Sequence, residues 1–129
     1  RTIVWSVGVG ITLGLALLVA RDSVSGLFSN DPAVVGLVGF LFLHVGLMAP
    51  LSGVAFALDG ILIGAGDQRF MARAMTASAL LATAAMAAGR LADLGIGWLW
   101  AAIWVFVAGR SVILGARFRG NHWVVLGAD

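Results

Sequence analysis

The chain lacks cysteine, lysine, glutamate and tyrosine, and it has little charge of either sign. Charged residues make up 11% of the 129 residues, whereas a soluble domain normally has about 25%. Hydrophobic residues make up 61%, and the mean hydropathy is +1.06. This composition leaves too little polar surface for a fold that sits in water, so it predicts an integral membrane protein. The absence of cysteine also excludes disulfides, thiolate metal sites and a cysteine nucleophile.

The charged residues that are present are all arginine or aspartate, and they sum to a net charge of only +2. The arginines are scattered between apolar segments instead of forming a basic patch. We therefore expect no nucleic-acid partner, and we interpret the arginines as signals of membrane topology.

Four long apolar segments are separated by short charged stretches. Barrel strands in membranes have about 9–11 residues and alternate in polarity, and these segments are longer and do not alternate. The sequence therefore predicts an all-α integral membrane domain of four transmembrane helices, within a larger protein. The predicted helices cover about 3–20, 32–65, 70–89 and 97–114, with a cytoplasmic tail at 115–129.

The second segment contains Pro50 near its middle and is long enough for about 50 Å of helix. Division into two spans would need a loop at Pro50, but the residues around it carry no charge. A proline can kink a helix without ending it. We therefore predict one long, kinked helix, and we treat Pro50 as a candidate hinge or an ordinary kink.

The ends of this helix carry recognisable signals. Asp31 suits the capping position before the helix, and Pro32 suits its first turn. Gly64 and Gly66 favour its termination. We expect Asp67 to cap the third helix.

Arginine placement predicts the orientation. With four spans, five arginines fall on one side and two on the other, which places both termini in the cytoplasm. Arg110 lies late in the fourth helix, and we expect its side chain to reach the cytoplasmic headgroups.

The candidate residues of a transport pathway are Asp59, Ser52 and His44. On one helix, Ser52 and Asp59 share a face about 10 Å apart along the axis, and His44 lies within about 60° of Asp59. They form either a polar track for a proton or cation, or separate structural contacts. In the second case Asp59 pairs with Arg69, Arg73 or Arg110, and His44 is a packing residue.

The residues do not fit an enzyme. Ser52 is not preceded by the glycine of a serine protease motif, and His44 lies about 12 Å from it along the helix axis, too far for a general base. We find no phosphate-binding loop and no convincing metal site, and we expect no cofactor. The pairs Gly10/Gly14 and Gly60/Gly64 predict close helix approach.

A family resemblance rests on the order and spacing of several motifs. These are LFSNDPAVV, MAPLSGVAFALDGILIGAGDQRF, GIGWLWAAIWVFVAGR and NHWVVLGA, which together span nearly the whole chain. In this order they resemble the C-terminal part of a MATE (multidrug and toxic compound extrusion) transporter, and most closely its DinF-like branch.

The resemblance implies twelve helices in two six-helix lobes, of which this chain supplies helices nine to twelve in the second lobe. It implies efflux of organic or cationic compounds, driven by a proton or sodium gradient. Some relatives place a cation-binding acid about one turn after the position of Met48, where this chain has Ser52, so a sodium site there is not expected. The acid best known in the DinF-like branch lies outside this chain, which makes Asp59 a secondary candidate.

The sequence thus predicts a fragment of a cation-coupled multidrug antiporter in the bacterial plasma membrane. Its expected partners are the lipid bilayer, the remaining helices of the transporter and small organic or cationic substrates. Two alternatives stay open: a lipid or polysaccharide flippase of the same superfamily, and a four-helix membrane scaffold that transports nothing.

Overall fold

Four α-helices follow one another in the computed structural model of the chain, which describes residues 1–120 and Trp123. Within those residues there is no strand, and each helix is long and apolar enough to cross a membrane. The predicted fold class is confirmed. The helices are α1 (Thr2–Phe28), α2 (Pro32–Gly64), α3 (Gln68–Leu91) and α4 (Ile96–Arg119).

Two helices continue beyond the segments predicted for them. We expected α1 to end near residue 20, but it passes through Arg21 and Asp22, whose exposed side chains pair with each other at 3.2 Å. Charged side chains at the surface of a helix do not interrupt its backbone hydrogen bonds. Arg21 and Asp22 therefore mark the end of the apolar segment, while the helix continues past them. In the same way, α4 includes the first residues of the predicted tail at 115–129. Residues 121, 122 and 124–129 of that tail lie outside the described residues.

The helix α2 is a single helix of 33 residues that includes Pro50, as the sequence predicts. At its start, the backbone N–H of Ala33 donates a hydrogen bond to the Asp31 carboxylate at 2.9 Å, so the predicted cap is formed. At its end, Gly66 adopts a φ of +78°, a conformation that glycine reaches without strain. The capping signals therefore determine both ends of α2.

The chain divides into two compact units, Arg1–Gly53 and Val54–Asp129, with the boundary inside α2. In the first unit, the backbone of α1 lies directly against the first part of α2. A Cβ added to Gly10 would lie 2.6 Å from the Ala49 carbonyl oxygen, and one added to Gly14 would overlap the carbonyl oxygen of Gly46. Close approach at Gly10 and Gly14 agrees with the prediction from their spacing.

The second glycine pair does not behave in the same way. Added Cβ atoms at Gly60 and Gly64 would meet nothing within 4 Å among the described residues. Close packing at this pair therefore stays a prediction. The spacing of two glycines permits a close approach, but a neighbouring helix must also face them.

The second unit contains the end of α2 together with α3 and α4, which pack against each other. Small buried residues on both helices, including Ala82 and Ala102, allow this packing. The indole of Trp98 lies over Gly89 and donates a hydrogen bond to the Ala85 carbonyl oxygen at 2.6 Å. A side chain at position 89 would occupy the space of the indole, so glycine is required there.

Large apolar side chains cover much of the surface of α1. Val4, Trp5, Val19 and Leu27 are each at least 74% exposed. Such a helix face is stable in hydrocarbon or against further apolar helices, but not in water. Together with the four membrane-length helices, it defines a multi-pass membrane protein in contact with a lipid bilayer.

Candidate functional site

Asp59 is a buried acid within the membrane-spanning length of α2. It is 7% exposed, and its neighbours in sequence, Ala57 and Leu58, are also buried. Its carboxylate accepts a hydrogen bond from the Nη2 atom of Arg110 on α4, and the two side chains form an ion pair. Among the three arginines that the sequence offered as partners, the structure selects Arg110. This pair is the centre of the candidate site.

Asp59 and Arg110 form one hydrogen bond, although a carboxylate and a guanidinium can form two. The Oδ2 atom of Asp59 binds Nη2 of Arg110, while Oδ1 of Asp59 and Nε of Arg110 are both buried and have no hydrogen-bond partner among the described residues. A planar guanidinium can bind a carboxylate through two parallel hydrogen bonds. Here only one of these two hydrogen bonds forms. The acceptor Oδ1 of Asp59 and the donor Nε of Arg110 are buried but do not bind each other.

Arg110 is mostly buried and lies beside Phe56 as well as Asp59. Its side chain is only 15% exposed, and its guanidinium carbon lies 5.9 Å from the ring centre of Phe56, one turn before Asp59. The guanidinium is thus held by Asp59, and the expectation that it reaches the headgroups stays a prediction. The ion pair forms because an unpaired charge in an apolar region is costly.

A second ion pair repeats this arrangement near the turn between α2 and α3. The Nε atom of Arg117 donates to Oδ2 of Asp67 at 2.7 Å, and the guanidinium carbon of Arg117 lies 4.7 Å from the ring centre of Phe70. Asp67 occupies the capping position of α3, as predicted, but its side chain makes no capping hydrogen bond. The carboxylate binds Arg117 instead, a contact that the sequence did not indicate.

His44 makes local contacts along its own helix. Its Nδ1 atom lies 2.9 Å from the carbonyl oxygen of Phe40, and the rings of the two residues are 4.2 Å apart between centres. The ring is half-buried. These contacts support a packing role, while its proposed part in a polar track stays a prediction.

Ser52 and Pro50 lie in the first unit, in the part of α2 that faces α1. Both are half-buried, and the Pro50 backbone lies against Gly10. Because proline has no backbone N–H, the carbonyl of Gly46 lacks the helical hydrogen bond it would accept from residue 50. That carbonyl lies against Gly14 of α1 instead. The glycines of α1 thus accommodate the interruption that Pro50 makes, whereas a role for Ser52 stays a prediction.

Within the described part of the chain, no group of three or more histidine, cysteine, aspartate or glutamate residues could hold a metal ion. The chemistry that the described site offers is that of one carboxylate and one guanidinium. These groups can exchange a proton, bind a counter-ion or hold two helices together.

These features define a class of protein: a multi-pass helical membrane protein with a charged pair buried in its spans. The MatE family model matches residues 1–88, which include α1, α2 and most of α3. The chain therefore belongs to the MATE family, a family of transporters and not of enzymes.

Two proteins of Arabidopsis thaliana are similar to the chain. Protein DETOXIFICATION 45, chloroplastic, is 31% identical over 133 residues, which cover 99% of this chain and 24% of that protein. Protein DETOXIFICATION 43 is 32% identical over 107 residues, which cover 80% of this chain and 20% of that protein. The chain thus spans less than a quarter of the length of either relative. No solved structure matches it.

Proposed function

We propose that this chain is part of a cation-coupled efflux antiporter for small organic or cationic compounds. Membership of a transporter family supports this, and so do the names of the two relatives, which refer to detoxification. The observation that carries the proposal is the buried Asp59–Arg110 pair. An ionisable residue within a membrane span is costly, and such residues mark ion and substrate pathways in transport proteins.

Within that transporter, we propose that the four helices are helices nine to twelve, in a protein of the DinF-like branch. The order of the motifs around Asp31, Pro32 and Gly60–Gly66 supports this position. A lobe of this kind moves against its counterpart to expose a site alternately to each side of the membrane. The rest of the transporter and its substrate would then contact the surfaces of α1–α4 that are exposed in this chain.

The coupling ion is a proton or a sodium ion, and Asp59 is the residue of this chain that we propose to respond to it. Ser52 and His44 are secondary candidates on the same helix, and Pro50 is a candidate hinge within it. For location we propose the bacterial plasma membrane. The name of one relative includes the word chloroplastic, which makes a plastid membrane the alternative.

Transport by the full-length protein tests the function directly. The protein is reconstituted in liposomes, a fluorescent organic cation is supplied, and a proton or a sodium gradient is imposed separately. We expect one of the two gradients to drive movement of the cation against its own concentration gradient. Equal, passive behaviour with both gradients and with none would favour the scaffold, and movement of labelled lipid alone would favour the flippase.

We further propose that both ends of the chain are cytoplasmic, and cysteine accessibility checks this topology. This chain has no native cysteine, so a single cysteine at Ser29, Gln68 or Asp93 of the full-length protein gives a clear signal from this region. We expect an impermeant thiol reagent added outside to label positions 29 and 93 but not position 68. Labelling of position 68 from outside would contradict the topology. Asn121, which we also expect on the inside, lies outside the described residues.

A further inference from the structure

Arg110 is the charged group that the structure places in contact with Asp59, and that contact holds it in a mostly buried position. The side chains are 10% exposed for Asp59 and 15% exposed for Arg110. As an ionised pair they carry no net charge, and each lowers the cost of burying the other. If Asp59 becomes neutral, a single positive charge is left in an apolar surrounding. The stability of the buried guanidinium therefore depends on the charge of Asp59.

The half-formed pair shows where a proton can be accepted. Oδ2 of Asp59 is occupied by the guanidinium, but Oδ1 is buried and has no donor within the part of the chain that the structure describes. A proton on Oδ1 needs no other ligand, whereas a metal cation needs several oxygen ligands. The resulting neutral carboxylic acid attracts Arg110 far less than the carboxylate does.

Arg110 lies close enough to the end of α4 for its side chain, once released from Asp59, to extend toward the membrane surface. It lies nine residues before Arg119, where α4 ends, which corresponds to about 14 Å along the helix axis. A long arginine side chain can extend toward the membrane surface with its charged end in a polar region. Loss of the Asp59 charge therefore favours an outward movement of Arg110, of α4, or of both.

We propose that Arg110 is a tethered counter-cation that alternates with a proton on Asp59, so that each proton taken up releases Arg110 from α2. In this role Arg110 is a positioning residue, since it acts on transport through Asp59. The covalent change is confined to one O–H bond at Oδ1, and the positive charge of the guanidinium is retained throughout. The inference rests on the proposed function. It adds that the coupling ion is a proton and that Arg110 competes with this proton for the Asp59 carboxylate.

The test uses the full-length transporter in liposomes, with Arg110→Gln as the main variant. We expect proton-driven accumulation of a fluorescent organic cation to fall at least about fivefold, a typical size for loss of coupling between two sites. Exchange of labelled for unlabelled substrate without a gradient should fall less than accumulation does. Arg110→Lys, which keeps the positive charge, should retain most of the coupling.

A matched control comes from the second ion pair. Arg117 also lies on α4 and also pairs with an aspartate next to a phenylalanine ring, but Asp67 is in the turn between α2 and α3. Arg117→Gln should therefore leave the ratio of accumulation to exchange unchanged, even if it lowers the thermal stability. A loss of coupling in Arg117→Gln equal to that in Arg110→Gln would overturn the proposal.

Chemical modification of Asp59 distinguishes a role of Arg110 in controlling the proton on Asp59 from a role in protein stability alone. A lipid-soluble carbodiimide reacts with protonated carboxylic acids within a membrane, and mass spectrometry locates the adduct. At neutral pH we expect Asp59 to be protected in the wild type and in Arg110→Lys, and to be modified in Arg110→Gln. Equal modification of Asp59 in all three proteins would contradict the proposal, as would wild-type accumulation by Arg110→Gln.

The double variant Asp59→Asn with Arg110→Gln guards against a folding failure of the single variant. It removes both charges and keeps both shapes, so it should fold and exchange substrate, but its proton-driven accumulation should fall at least about fivefold. Accumulation by this variant equal to that of the wild type would overturn the inference. If the wild type itself shows no gradient-driven transport, the proposed function fails. If the wild type is coupled and the Arg110 variants are coupled equally well, only the inference is refuted.

Discussion

Replacing Gly14 by alanine should destabilise the full-length protein by about 1–3 kcal/mol, the usual cost of forcing extra atoms into a packed interior. The added Cβ would overlap the carbonyl oxygen of Gly46, a backbone atom that cannot rotate away as a side chain can. Helix α1 would have to move away from α2, and the contacts around Gly10 would be lost with it. Thermal unfolding in detergent, followed by a fluorescent or scattering signal, measures the change.

Gly8→Ala is the matched control for this prediction. Gly8 lies in the same helix, but an added Cβ at this position would meet none of the described residues within 4 Å. Because alanine favours a helix over glycine by up to about 1 kcal/mol, Gly8→Ala should be neutral or slightly stabilising. Equal effects of the two substitutions would show that α1 and α2 do not approach closely at Gly14.

The second large effect concerns the buried ion pair. Asp59→Asn alone should cost about 3–5 kcal/mol, because it leaves the Arg110 guanidinium as an uncompensated charge in a buried position. Arg110→Gln alone should cost less at neutral pH, because the Asp59 carboxyl group that loses its partner can take up a proton. The double variant should cost clearly less than the sum of the two, since it leaves no unpaired charge. Unfolding of the two single variants and the double variant gives the interaction energy of the pair.

The exposed pair Arg21–Asp22 provides the comparison for these measurements on the buried pair. Its side chains are 43% and 84% exposed, and water already solvates both charges. Exposed ion pairs contribute little to stability, so Asp22→Asn should leave the unfolding temperature almost unchanged. Strictly additive effects of Asp59→Asn and Arg110→Gln would mean that these two side chains do not interact.

The number and type of the helices could be predicted from the sequence because hydrocarbon permits few backbone conformations. Apolar segments of this length form helices in a membrane. Local signals also predicted both ends of α2, since the cap at Asp31 and the glycines before Asp67 act through neighbouring backbone atoms. The end of α1 was missed because Arg21 and Asp22 mark the limit of the apolar segment, which is a different property from the limit of the helix.

The contacts of the candidate site were only partly predictable, because they depend on which helices pack together. Sequence alone identified Asp59 as an unusual acid and offered three arginines as partners. The choice of Arg110 requires α4 to lie beside the second part of α2, and no local pattern encodes that. The same limit explains the glycines: Gly10 and Gly60 begin identical spacings, but among the described residues only the first has a facing helix.

The most direct test of the account is gradient-driven efflux by the full-length Asp59→Asn protein, measured per folded molecule and across a range of pH. Asparagine keeps the shape of the side chain and removes its charge and its proton. If Asp59 responds to the coupling ion, the variant should fold and bind substrate but lose part of its gradient-driven efflux. Efflux equal to that of the wild type at every pH would remove Asp59 from the mechanism and leave the ion pair with a purely structural role.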